Sequence, residues 1–159
     1  DTIMIIGGKV ISLFTASNGA EDMTQTDYFF CLAGKGIEGD RYAKGTGTFS
    51  KKPEPGRQLT IIESEGLEML KHLPDLLCSP HQYRRNIVSR GIRLNSLVGR
   101  KLSIGEVSIK VHRLCQPCSY LEGMLNKPGL KSALWGKGGI RCEILSDGKI
   151  MVEDSIGLI

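Results

Sequence analysis

Cys115-Gln116-Pro117-Cys118 is the segment of the chain best equipped for chemistry. A thiolate is a strong nucleophile and a soft metal ligand, and how readily it forms depends on whatever lowers the thiol pKa. Four arrangements use two cysteines at this spacing. A thioredoxin-like redox pair is one, but that motif opens an early βαβ unit, and here it follows a strand late in the chain. A zinc half-site is another; it needs a second pair, whereas Cys31, Cys78 and Cys142 are scattered and the three histidines show no ligand spacing. In the third, both sulfurs are buried as small hydrophobes. The fourth is a reactive or metal-ligating thiolate at a helix start, where amide N–H groups and the helix dipole favour the anion. Pro117 suits a first helical position, so Cys118 lies nearer that first turn and Cys115 becomes a neighbour or a resolving thiol. The pair alone does not choose among the four.

Arginines form the second chemical signal. Gly39-Asp40-Arg41 and Arg57-Gln58 flank a soft loop from Tyr42 to Gly56, and Arg84-Arg85-Asn86 opens a strand, with Arg90, Arg93 and Arg100 close behind. Read plainly, these are salt-linked loop bases and solvated strand flanks. Read functionally, Arg41, Arg57 and Arg85 converge on a small anion, since guanidinium forks match phosphate, and the Asn86 amide serves a heterocycle edge. Gly34-Lys35-Gly36-Ile37-Glu38-Gly39 fits G-x-G-x-x-G, but a loop rather than a helix is expected after it, so a chance match in a glycine-rich chain is the better reading.

The elements that must position these groups are short strands. Ile3–Ile6, Val10–Phe14, Tyr28–Leu32, Gln58–Glu63, Asn86–Ser89, Lys101–Ile104 and Val107–Leu114 read as strands, the last two joined at Gly105–Glu106. Val107, Ile109 and Val111 alternate with Ser108, Lys110 and His112, as in a strand with one buried face. Ile140–Leu145 and Lys149–Val152 are expected to form a hairpin over Ser146-Asp147-Gly148. Short helices are expected after Ser64, with Leu67, Leu70 and Leu73 on one side and Pro74 ending it, over Cys118–Leu125, and over Leu130–Trp135. Helices do not alternate regularly with strands, so a mainly β fold, a closed or nearly closed barrel, is expected over one domain, residues 1–159.

The composition narrows the partners. A net charge of +4 with only 6% aromatic residues lacks the dense basic stripe of a nucleic-acid binder. Five cysteines without a framework suggest a reducing, cytoplasmic compartment. The first sixteen residues lack a basic leader and are interrupted by Gly7-Gly8-Lys9, so neither a signal peptide nor a membrane span is expected.

Taken in order, several blocks resemble the MOSC domain family, named for the C-terminal domain of molybdenum cofactor sulfurase. They are Gly36-Ile37-Glu38-Gly39-Asp40-Arg41, Arg57-Gln58 with Ile61-Ile62-Glu63, Arg85-Asn86-Ile87-Val88, Gly91-Ile92, Leu97-Val98-Gly99, Ile104-Gly105-Glu106-Val107, Cys115-Gln116-Pro117-Cys118, and Gly136 to Gly139. The resemblance implies a barrel related to that of pyruvate kinase and binding of the molybdenum cofactor, a pterin with a dithiolene and a phosphate. It implies Cys118 as the metal ligand, with Asn86 and nearby basic residues holding pterin and phosphate. Sulfurases carry a pyridoxal-phosphate domain ahead of this one, for which 159 residues leave no room, so pyridoxal phosphate is not expected. Ser119-Tyr120-Leu121-Glu122 is similar to short stand-alone members, which argues against the activity of the amidoxime-reducing relatives. Val152-Glu153-Asp154 replaces the family's Val-Gly-Asp. A molybdenum-dependent oxidoreductase, a sulfurtransferase bearing a persulfide on Cys118 for cluster or cofactor assembly, and a non-enzymatic module with inert cysteines all stay open. The first two call for a redox partner or a sulfur donor.

Overall fold

A computed structural model describes residues 7–18, 21–44, 54–115 and 123–159. Cys118, most of the helix expected around it, the strand expected at Ile3–Ile6 and most of the soft loop lie outside the described residues.

The described strands are β1 (Gly8–Thr15), β2 (Thr24–Thr26), β3 (Tyr28–Leu32), β4 (Gly36–Ile37), β5 (Leu59–Glu63), β6 (Ile87–Arg90), β7 (Lys101–Ile104), β8 (Val107–Leu114), β9 (Ile140–Ile144), β10 (Gly148–Met151) and β11 (Ser155–Leu158). Short helices are α1 (Arg41–Lys44), α2 (Ser64–Glu68) and α3 (Leu130–Ala133). Seven strands close a barrel in the order β1-β11-β7-β8-β9-β5-β6 and back to β1. Strand β1 makes the closure possible by splitting one edge: Gly8 and Lys9 pair with β11, and Leu13 to Thr15 pair with β2. Its other edge pairs with β6.

The alternation read in β8 sets its inner face. Val107, Ile109 and Val111 are fully buried, while Ser108, Lys110 and His112 are half-buried on the other side. They join Leu13, Leu59, Ile61 and Ile87 in one core inside the barrel, which is mainly β as the pattern of short strands suggests. Most pairings are antiparallel, but β5 and β6 run parallel, with Ile61 opposite Ile87, because α2 and the 3-10 turns after it carry the chain back.

Two expectations change. Strands β9 and β10 lie close to where they were expected but do not form a hairpin. Both edges of β9 are already taken, by β8 and β5, so β10 pairs with β3 in a separate three-stranded sheet, with β4 beyond. Ile150 of β10 and Phe29 and Cys31 of β3 turn inward onto the barrel core. The chain after Asp40 turns through α1 rather than entering a loop directly. Ser64 starts α2 rather than capping it, and Leu73 is exposed beyond the helix while Leu70 is buried.

One glycine decides whether β9 can meet β5. Gly139 has φ +93°, and a Cβ there would overlap the carbonyl oxygen of Ile61. Alanine would add left-handed strain to a backbone clash at the same point. Gly139→Ala is expected to lower stability by about 2–5 kcal/mol, read as a lower urea midpoint.

Candidate functional site

The residues from Arg84 to Asn86 draw three parts of the barrel together. Arg84 ends the 3-10 turn Pro80–Tyr83 in a left-handed conformation, φ 60°, which bends the chain as it enters β6. The half-buried guanidinium of Arg85 then donates to three backbone carbonyls: Nε to Gly138 at 2.9 Å, Nη1 to Tyr83 at 3.0 Å and Nη2 to Cys115 at 3.5 Å. Among the described residues, no carboxylate lies within ion-pair distance of it. Cys115 is fixed from a second side, its N–H donating to Gly139 at 2.7 Å. The corner that ends β8 is thus held by a cation with no carboxylate partner among the described residues.

Asn86 sits beside this cation but points inward. It is fully buried, and its Oδ1 accepts from the N–H and hydroxyl of Thr60, both at 3.1 Å. Its Nδ2 donates to the Phe14 carbonyl at 3.1 Å, and its own N–H donates to the Thr60 hydroxyl. The carboxamide pins β6 to β5 and to the end of β1. A buried amide must be satisfied, and here it is satisfied by the barrel itself.

Arg41 reaches the same region from α1. Only 4% exposed, it donates to Asp40 Oδ1 at 3.2 Å, to Met23 Sδ at 3.1 Å and to the Arg84 carbonyl at 3.4 Å. Asp40 is fully buried, and its Oδ1 also accepts the N–H of Ala16 at 3.0 Å. Its Oδ2 has no hydrogen-bond partner among the described residues. Nearby, Asp22, Met23, His81, Gln82, Arg84, Met124 and Leu125 line a cleft of about 240 Å³. Met124 and Leu125 come shortly after residues 116–122, which lie outside the described residues.

Arg41, Arg85, Asn86 and Cys115 therefore share one connected region, linked through Arg84 and the start of β6. Arg57 belongs to another. Its Nε donates to Glu54 at 3.1 Å, and Glu54 also binds Arg113 on β8. Of the later arginines, Arg90 pairs with Glu68 at the surface, and Arg93 lines a separate cavity with Glu63 and Glu65. Clustering along the chain did not predict clustering in space. Thr60, Gly138 and Asp40 Oδ2 were not singled out as site groups. Gly138 lay within a glycine run already noted, whereas nothing in a lone threonine signals its partner 26 residues away.

Cys31, Cys78 and Cys142 are poor thiolate candidates. Burial pushes the Cys31 thiol up to about 12, and burial, then the nearby Cys115, pushes Cys142 up as well. Burial raises Cys78 too, against the lowering influence of Lys127. Cys115 is 1% exposed. All four are free thiols.

This fold and corner define a MOSC barrel. The family model for the MOSC domain matches residues 44–157, and the chain belongs to that family. The fold is similar to the crystal structure of YuaD protein from Bacillus subtilis, at 20% identity and a TM-score of 0.77, covering 96% of both chains. It is also similar to YiiM from Geobacillus stearothermophilus, at 16% identity and TM-score 0.74, covering 96% of this chain and 75% of that one. YiiM from Escherichia coli gives 19% identity and TM-score 0.71, covering 97% and 70%. No curated protein sequence matches the chain. Among the described residues, no helix is long and apolar enough to cross a membrane.

Removing the Asn86 amide strands the Thr60 N–H and the Phe14 carbonyl in the interior. Asn86→Ala is expected to lower stability by about 2–4 kcal/mol in chemical denaturation, whereas Arg90→Ala, which breaks an exposed pair, should cost under about 1 kcal/mol.

Proposed function

We propose that this MOSC domain binds the molybdenum cofactor, with the Cys118 thiolate as its protein ligand to the metal. The observation that carries the reading is Arg85. Among the described residues this half-buried guanidinium is met by carbonyl oxygens alone, which leave its charge in place, and it sits on the backbone of Cys115, three residues before Cys118. A cation so placed stabilises an anion nearby, both a thiolate and an anionic ligand.

The donor set fits such a group. Asp40 Oδ2 is a buried acceptor without a donor, suited to the N–H edge of a ring such as a pterin. Arg41 and Arg84 bring guanidinium groups to the same region, and Arg84 lines the cleft. When bound, the cofactor supplies a redox-active metal in a sulfur-rich setting. The chain's own contribution is to hold Cys118 as a thiolate, to orient the ligand by charge, and to keep the pocket floor rigid. In this reading Asn86 is a positioning residue, acting through Thr60 and Phe14. Arg57 contributes from the neighbouring cluster.

A sulfur-carrier role would use Cys115 to resolve a persulfide on Cys118. The burial of Cys115 weighs against that two-thiol version and favours a single-thiolate site. Free thiols of this kind suit a reducing, cytoplasmic compartment, which we propose as the location.

Reconstitution with the cofactor, followed by the molybdenum content per chain, tests the reading. Wild type is expected to approach stoichiometric uptake, Cys118→Ala to retain little and Arg85→Gln to fall between. Equal uptake by wild type and Cys118→Ala would remove Cys118 as the ligand.

A further inference from the structure

A cavity of about 330 Å³ opens beside Glu63, the last residue of β5, and the site above uses none of its side chains. That volume falls at the low end of the range for small-molecule sites, about 300–1,000 Å³. Three segments frame it: the turn from β5 into α2, the chain after β6 at Arg93 and Asn95, and the approach to β9 from Gly136 to Gly139. Hydrogen bonds fix these segments to one another. Glu63 Oε2 accepts the N–H of Leu94 at 3.0 Å, and Glu65 Oε2 accepts the N–H of Gly91 at 2.8 Å. Both carboxylates are therefore oriented by the same segment that carries Arg93. Asn95 Nδ2 donates to the Gly136 carbonyl at 2.8 Å, and a Cβ on Gly66 would lie 3.3 Å from the Cβ of Lys137.

The charges in this frame are of both signs, and they do not close on one another. Glu63 and Glu65 line the cavity together with Arg93 and Lys137. Among the described residues, none of the four is in an ion pair, whereas Arg90, three residues before Arg93, does close on Glu68. Burial raises the Glu63 carboxyl above its ordinary value; the Leu94 N–H opposes the rise, Glu65 adds to it and Arg93 opposes it. A cation arriving beside Glu63 would relieve that cost. An anion alone would meet Glu63 and Glu65, and a cation alone would meet Arg93 and Lys137. A ligand that carries both charges meets neither repulsion. Met69, exposed on the same cavity, adds a flexible apolar wall.

We infer that this cavity binds a small zwitterion, an α-amino acid with an apolar side chain. Its ammonium lies on Glu63 and Glu65, its carboxylate on Arg93 and Lys137, and its side chain against Met69. The guanidinium fork suits a carboxylate, and carboxylates already held by backbone N–H groups need little reordering to receive an ammonium. Neither the cavity nor its ligand depends on the cofactor proposed above.

Calorimetric titration with L-leucine, L-methionine and L-phenylalanine tests the assignment. Wild type is expected to bind at least one of them at millimolar concentration. For the amino acid bound most tightly, the amide lacks the carboxylate and the N-acetyl form lacks the ammonium. Each is expected to bind about ten-fold more weakly or worse. Glu63→Gln keeps an acceptor for the Leu94 N–H, and Arg93→Gln alters an exposed side chain, so both should stay folded, as thermal unfolding verifies. Each variant is expected to lose affinity about ten-fold, while Lys149→Gln, on the separate three-stranded sheet, binds as wild type does. No binding of any of the three amino acids, equal affinity for the amide or the N-acetyl form, unchanged affinity in both Glu63→Gln and Arg93→Gln, or an equal loss in Lys149→Gln would each overturn the assignment.

Discussion

The guanidinium of Arg85, pressed against the carbonyls of Tyr83, Cys115 and Gly138, is the contact around which the site is organised. Carbonyl oxygens satisfy its hydrogens but carry no net charge, so they orient the cation without cancelling it. Burying a charge in this way is unfavourable unless several good hydrogen bonds compensate, and here three segments supply them. The same bonds lock those segments together: the entry to β6, the exit from β8 and the approach to β9. The outcome is a corner that is both rigid and electropositive, directly before the segment that carries Cys118.

The barrel makes that corner possible. Because β1 divides one edge between β11 and β2, the sheet closes without leaving β6 exposed, and the Asn86 amide ties the start of β6 to β5 and β1. Gly139 lets β9 approach the Ile61 carbonyl closely enough to complete the wall. On one side of the corner, Arg41 and Asp40 form a buried pair, and one carboxylate oxygen has no donor among the described residues. On another, Gly139 borders the cavity that Glu63, Glu65, Arg93 and Lys137 line.

Much of the fold was legible because strand periodicity is local. The alternation in Val107–Leu114 marked its buried face correctly, and the tight Gly105–Glu106 turn fixed the pairing of β7 with β8. Partner choice was not legible where it depended on competition. Ser146-Asp147-Gly148 looks like a hairpin turn, yet β9 had no free edge to offer β10. The family was readable from ordered short blocks, none of them decisive alone. Its missing glycine also has a visible consequence, since Glu153 adopts φ 76°, a left-handed conformation that glycine takes without strain. Site residues were harder. Type and position along the chain singled out Arg85 and Asn86, but a polar side chain that meets a ligand and one that braces the scaffold look alike in sequence. Only the burial of Asn86 and its hydrogen bonds with Thr60 and Phe14 separate the two roles.

The central proposal is electrostatic: the charge of Arg85, which no carboxylate among the described residues meets, would favour a thiolate at Cys118. The pH dependence of alkylation at Cys118, followed by peptide mass spectrometry in wild type and Arg85→Gln, measures this directly. The account predicts a wild-type midpoint below the ordinary thiol value of about 8.5, and a clear upward shift in the variant. Coincident profiles in the two proteins, with both midpoints at or above the ordinary value, would contradict it.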